Sequence, residues 1–398
     1  YSNFICHFDE FLSFSMDNLP KGRLIFLLFP PPHCARVVFS FLIVYTNAVI
    51  SRLKDALRTT GQCAAAFYLL YIRSDRSFMN YIVFDLEWNQ CPYGKEKEEK
   101  RLPFEILEIG AIKLNRNLQE LDRFHERIRP AIYPAFHYRT QEILHMNMED
   151  FKDCRSFPEV CQDFLAWAGK KVHFCTWGPS DLLELQRNMR YYHMDLSFHY
   201  PLRYYDIQKL FSISYEDTKT RRSLEYAVDF LHLAKDLPFH SALCDSFYTA
   251  EILKTLDIRK VLANYSIDYF HLPANRREEI YAKFDTYTKY VSKAFNSRSE
   301  AMRDRKVIST PCYICHQPAR KKLRWFLAGS RNYYCLAYCE EHGWLKGKIR
   351  LKKSETNPDQ VFCVKTLKLV DEEKAQEIMN KKAQIREKER LREQNHSA

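Results

Sequence analysis

Three short acidic segments hold the clearest chemistry in the chain. The first is Phe84-Asp85-Leu86-Glu87-Trp88, which ends the apolar run Tyr81–Leu86. Side chains alternate faces along a strand, so Asp85 and Glu87 project together. Two carboxylates side by side at a strand end need a cation or water between them. Hard oxygen donors of this kind suit Mg²⁺ or Mn²⁺. The second is Thr176-Trp177-Gly178-Pro179-Ser180-Asp181, where a strand stops at a Gly-Pro turn and a helix begins. Asp181 falls in the first helical turn, and Ser180 is placed to cap, which leaves Asp181 free. The third is His240-Ser241-Ala242-Leu243-Cys244-Asp245. Residues five apart do not quite share a helical face. His240 is therefore expected in the loop just before the helix, at a boundary set by Pro238. Imidazole titrates near neutrality, as a general base should.

Each segment also has an ordinary structural explanation. Asp85 and Glu87 could simply mark a strand leaving the core. Asp181 could be a helix cap, and His240 and Asp245 exposed groups at a helix start. Those explanations weaken together, because the order D-x-E, D, H-x4-D places every member at the end of an element.

A separate cluster lies further on. Cys312-x-x-Cys315 and Cys339-x-x-His342 form two knuckles with the spacing of a structural zinc ribbon. Cys335 competes with Cys339 as a ligand. Four protein ligands leave no open position, so a structural Zn²⁺ is expected rather than a catalytic one. Basic and aromatic residues interleave around the cluster, among them Arg320, Arg324, Trp325, Tyr334, Lys348 and Arg350. That mixture fits phosphate contact and base stacking.

The elements that must position these groups form an α/β pattern. Tyr81–Leu86, Phe104–Leu114 and Leu121–Arg129 read as strands of an antiparallel meander. Phe157–Ala168 has helical spacing, Val172–Trp177 reads as a strand, and Asp181–Tyr192 as a helix. Asp206 and Ser223 are placed to cap two further helices. A helix over His240–Leu256 closes the unit, giving a mixed sheet flanked by helices over 79–256. Residues 257–308 are expected to be a helical linker, with Asn275–Val291 its clearest helix. Residues 309–370 form the small zinc-ribbon-like region, and 371–398 a charged helical tail. Residues 1–78 read as an atypical leader, with Met79 the expected natural start. Their apolar stretches are shorter than the ~20 residues of a membrane span, so no stable membrane association is expected.

Composition supports these divisions. The charge of the whole chain is +11, yet residues 301–398 alone carry 22 Lys and Arg against 12 Asp and Glu. A basic appendage beside a near-neutral body suits a polyanion such as nucleic acid. Only 9 glycines are present, and no phosphate-cradling glycine loop is found. The 13 scattered cysteines read as reduced thiols of a cytoplasmic protein.

FDLEW, WGPSD and HSALCDSFYTAEIL together resemble the three motifs of the DEDDh exonucleases, a branch of the RNase H-like fold. The resemblance covers about Met79–Leu256. Within the family the chain is most similar to histone-mRNA and RNA-interference-type 3' exonucleases and to bacterial sporulation-inhibitor exonuclease-domain proteins. It implies 3'-to-5' hydrolysis of single-stranded RNA or DNA with a free 3' end, releasing nucleoside 5'-monophosphates. It further implies two metal ions ~3.5–4 Å apart that clamp the attacking and leaving oxygens. Asp85 would bridge both ions, Glu87 and Asp245 would ligate directly, and Asp181 directly or through water. His240 would take a proton from the attacking water. The competing expectation is a module of the same fold that binds nucleic acid or protein without cleaving. Retention of all five motif residues argues against it.

Overall fold

The computed structural model describes residues 79–396 except 145, 197 and 218, so the expectations for residues 1–78 lie outside the described residues. Strands β1 (Asn80–Gln90), β2 (Phe104–Leu114) and β3 (Glu120–Arg127) form the expected antiparallel meander. β4 (Val172–Thr176) pairs parallel with β1, and β5 (Arg203–Asp206) pairs parallel with β4. β6 (Ser266–Ile267) closes the edge antiparallel, giving the order β3-β2-β1-β4-β5-β6.

Seven α-helices accompany this sheet among the described residues: α1 (Tyr138–Leu144), α2 (Phe157–Ala168), α3 (Ser180–Tyr191), α4 (Ile207–Tyr215), α5 (Leu224–Phe230), α6 (Ala242–Thr255) and α7 (Ile258–Ala263). Asp206 accepts from the Lys209 N–H and Ser223 from the Tyr226 N–H, capping α4 and α5 as expected. Ser180 does not cap α3. It is the first helical residue, behind Pro179, because the Gly-Pro turn already redirects the chain.

β1 shows how the strand period aims the acidic pair. Tyr81 and Val83 enter one core with Phe211, Val228, Tyr248 and Ile252. Ile82, Phe84 and Leu86 enter the opposite core with Val160, Phe164, Leu182 and Leu185. Each such buried side chain contributes about 1.5–3 kcal/mol, so a one-residue slip is strongly disfavoured. Asp85 and Glu87 continue the Tyr81–Val83 face, the side on which α6 packs.

The linker differs from expectation. Asn275–Val291 is not a helix but contains a hairpin, β7 (Ile280–Lys283) and β8 (Tyr287–Val291). Buried Ile280 and Ala282 alternate with exposed Tyr281 and Lys283, a strand pattern that pairing stabilises. The hairpin joins β9 (Arg320–Leu327), β10 (Asn332–Cys339), β11 (Gly343–Lys353) and β12 (Val361–Leu369). The order is β7-β8-β12-β11-β10-β9, a six-stranded sheet larger than the ribbon expected for 309–370. Short helices α8 (Arg298–Arg303) and α9 (Arg305–Ile308) bury Ala301 and Val307 on one face, against Ile349 and Leu351. The charged tail is helix α10 (Glu372–His396), which seats Ala375 and Ile378 on Leu336 of the other face. Arg187 of α3 pairs with Glu355 at 2.7 Å, and Arg190 donates to the Glu355 carbonyl, tying the two sheets together. Among the described residues no helix is long and apolar enough to cross a membrane.

Candidate active site

The acidic face is built across two strands and a helix start. In the β1–β2 ladder Asp85 lies opposite Gly110 and Glu87 opposite Glu108. The first turn of α6 rests on this pair of strands. A Cβ on Gly110 would overlap the backbone of Ala242 and Leu243, so only glycine admits the helix this close. Ser246 Oγ donates to the Gly110 carbonyl at 2.7 Å and holds it there.

Glu108 fixes the same helix end from beneath. Its carboxylate accepts from Ser241 Oγ at 3.1 Å and from the Ala242 N–H at 3.0 Å. His125 Nε2 of β3 lies 2.9 Å from it. Burial raises the Glu108 carboxyl, but the bonds from His125 and Ser241 bring it below the ordinary range. It is therefore a fixed anion at the N-terminus of α6, where the helix dipole favours one.

His240 precedes α6, as Pro238 suggested, and is exposed. Its φ of 67° lies in the left-handed region, which is uncommon for a residue with a side chain. Its N–H donates to Asp245 Oδ2 at 3.3 Å. One potential ligand atom from each of Glu87, His240 and Asp245 lies within 4.8 Å of the others. Asp181, buried in the first turn of α3, accepts from its own N–H and from that of Leu86, the residue between Asp85 and Glu87. The structure thus brings Asp85, Glu87, Asp181, Asp245 and His240 together beside the interior strand β1.

The electrostatics are those of crowded carboxylates. Burial, followed by Asp181, Glu87, Asp245 and Glu108, pushes Asp85 well above the usual carboxylate range. Burial and then Asp245, Glu108 and Asp181 push Glu87 up to about 8. Asp181 and Asp245 are each raised to about 7, chiefly by burial. Asp245 Oδ1 is buried without a hydrogen-bond partner among the described residues. Hard oxygens that repel one another, one of them orphaned, fit divalent cations such as Mg²⁺ or Mn²⁺. Leu86 is core, and Trp88 packs on Phe104 with ring centroids 5.7 Å apart.

Glu108, Gly110 and His125 did not emerge from the sequence. The available signal was a charge and a glycine inside the apolar strand Phe104–Leu114.

Cys312, Cys315, Cys339 and His342 converge below the second sheet, their ligand atoms within 4.8 Å of one another. Cys312 Sγ and Cys339 Sγ each lie 3.7 Å from His342 Nδ1, and the Cys315–Cys339 sulfurs are 3.6 Å apart. A tetrahedron with ~2.3 Å zinc–sulfur bonds has edges of roughly 3.8 Å, so this donor set fits Zn²⁺. Burial raises the Cys339 thiol, but hydrogen bonds led by His342 bring it down to about 7. Cys335 points elsewhere. It is fully buried, and its sulfur sits against Gly347.

Residues 82–253, under half of the 398-residue chain, match the exonuclease family model named RNase T. No curated protein is similar in sequence. Solved structures with a similar fold include cell-death related nuclease 4, at 13% identity and TM-score 0.39, covering 51% of this chain and 74% of that one. The nuclease domain of 3'hExo, a DEDDh family member bound to rAMP, matches at 19% identity and TM-score 0.39, covering 48% and 96%. E. coli exonuclease I in complex with a dA16 oligonucleotide matches at 12% identity and TM-score 0.39, and the chain spans 55% of its length. The first sheet and its helices are an RNase H-like fold, and residues 82–253 are similar to the exonuclease family model.

Proposed function

We propose that this chain is a metal-dependent 3'-to-5' exonuclease that degrades single-stranded RNA or DNA to nucleoside 5'-monophosphates. The observation that carries this reading is the meeting of Asp85, Glu87, Asp181, Asp245 and His240 beside β1. Asp85, Glu87, Asp181 and Asp245 would hold two divalent ions. When bound, such ions polarise the phosphoryl group and make water a better nucleophile.

The chain's own residues do the rest. His240, exposed beside Glu87 and Asp245, takes the proton of the attacking water. Its N–H bond to Asp245 keeps the loop turned toward the carboxylates. Glu108 holds the helix start that carries both residues. Cys312, Cys315, Cys339 and His342 hold a structural Zn²⁺ that ties the segment before β9 to the β10–β11 turn. A cytoplasmic, reducing setting suits the ten free cysteines among the described residues.

The test uses single strands labelled at the 5' end, with Mg²⁺ or Mn²⁺ added or withheld. Progressive shortening that depends on the metal is expected. Immediate loss of the label as mononucleotide would reverse the polarity, and an intact strand with either metal would remove the catalytic reading.

A further inference from the structure

β11 sorts its side chains by charge as well as by face. Leu345, Gly347, Ile349 and Leu351 are buried. The alternate positions are Lys346, Lys348, Arg350 and Lys352, four cations in a row on one face. The neighbouring strands extend that face, because directly opposed residues project together. Lys368 of β12 lies opposite Lys346, and Thr366 lies opposite both Lys348 of β11 and Lys289 of β8. Tyr334 of β10 lies opposite Lys348 on the other side.

These cations lack the partners that other surface cations have. Arg123 pairs with Glu120 at 2.6 Å, and Lys254 with Glu251 at 2.6 Å. Among the described residues, no carboxylate lies within ion-pair distance of Lys289, Lys346, Lys348, Arg350, Lys352 or Lys368. Aromatic rings stand beside several of them instead. Lys352 Nζ is 4.6 Å from the Tyr269 ring, and Lys346 Nζ is 5.1 Å from that of Tyr334. Burial and then the charges of Lys374 and Lys348 pull Lys346 below the ordinary lysine range. Burial and then Arg350 do the same to Lys352. Glu377 offsets this in part at Lys346, as do Glu355 and Asp268 at Lys352, yet burial and like charge still prevail. Crowded like charges are costly, and a bound polyanion relieves that cost.

Lys289, on the same face as the row, is turned toward the first sheet. β1, β4 and β5 run parallel, so Asp85, midway along β1, lies near the level at which β4 and β5 end, at Thr176 and Asp206. Burial raises the Asp206 carboxyl, while the Lys209 N–H and the charges of Lys209, Arg221 and Lys289 pull it down. Lys289 therefore reaches toward the strand next to the one that leads to Asp181. A two-residue step along a strand is ~6.8 Å, close to the spacing of successive phosphates in an extended single strand. Lysines and an arginine at that step, with tyrosines between strands, suit phosphate contact and sequence-tolerant stacking.

We propose that the face of the second sheet bearing Lys346, Lys348, Arg350 and Lys352 is the track for the phosphates of a single strand entering the acidic site. This rests on the nuclease reading above. The occupant is a single-stranded polynucleotide. An acidic protein segment would match the charge but not the regular spacing, and it is one outcome of the test.

The experiment measures binding of the full chain, zinc retained, to fluorescent oligothymidines of ~4 and ~16 nucleotides. Uncleavable phosphorothioate ends and omission of Mg²⁺ and Mn²⁺ remove any dependence on turnover. The wild type should gain affinity with length. In K348Q/R350Q that gain should shrink by roughly tenfold, and the salt slope on the long oligomer should fall by roughly 1.4, or ~0.7 per lost contact. Both side chains are exposed, so the fold should persist, and the single variant K348E should act in the same direction. R259Q/K260Q, which removes equal charge on α7, should keep the wild-type slope. An unchanged slope in K348Q/R350Q, or equally effective displacement by polyglutamate, would overturn the track. A chain that binds this way yet degrades nothing would overturn only the nuclease reading.

Discussion

Gly110 lies directly opposite Asp85 in the β1–β2 ladder, and the backbone of Ala242 occupies the space a side chain there would need. The strand residue facing the central carboxylate thus sets how closely α6 approaches. Gly110→Ala should force the helix outward and carry His240 and Asp245 with it. Overpacking of this kind costs roughly 1–3 kcal/mol. A displacement near 1 Å should lower kcat on the order of 10²-fold. Thermal melts and single-turnover rates check both, and wild-type activity in this variant would contradict the positioning argument.

Glu108 should behave as a positioning residue. Glu108→Gln keeps the shape but removes the charge that holds Ser241, Ala242 and His125. A loss of about 1.5–3 kcal/mol is expected from weakened bonds to a buried anion. The turnover rate should fall on the order of tenfold or more, as for other groups that orient ligands. Oligonucleotide affinity should stay close to wild type. A fall in affinity with kcat intact would assign Glu108 to strand binding instead.

The crowded carboxylates make a pH prediction with a definite sign. Glu87 is raised to about 8, and Asp181 and Asp245 to about 7. Between the ordinary carboxylate range and those values, the folded chain binds more protons than the unfolded one. Stability of the protein without Mg²⁺ or Mn²⁺ should therefore fall as pH rises through that window. Added Mn²⁺ binds the deprotonated groups, so it should raise Tm more near pH 8 than near pH 5. Equal Mn²⁺ shifts at both ends would contradict this.

The cysteines separate by role. Cys339→Ser should lose zinc by metal analysis and destabilise the second sheet, because structural zinc contributes folding energy. Cys335→Ser should keep zinc, because its sulfur packs against Gly347 rather than toward His342. Zinc lost from the Cys335 variant and retained in the Cys339 variant would reverse the assignment.

Much of the site could be read from residue order alone. Period-two alternation aimed Asp85 and Glu87, and Pro238 marked the break before α6 that frees His240. The roles of Gly110 and Glu108 are not legible in the sequence because they lie in cross-strand register, which spacing within one strand does not reveal. Asn275–Val291 departs from its helix-like sequence pattern for a related reason. Arg276, Arg277, Glu278 and Glu279 resemble a charged helix start, whereas β8 gains its stability from β12, more than 70 residues away in sequence. Ser180 looked like a cap by type, but Pro179 had already set the entry angle of α3.

The central claim is that Asp85 stands at the heart of a metal-dependent 3' exonuclease site. Its most direct test compares the wild type with Asp85→Asn on a 5'-labelled single strand in Mn²⁺, following the length of the labelled strand over time. The wild type should shorten the strand stepwise from the 3' end. The variant should be slower by at least ~10³-fold, since the metal-binding carboxylate is gone while the fold remains. Equal rates for the two proteins, or an intact strand with the wild type, would contradict the account.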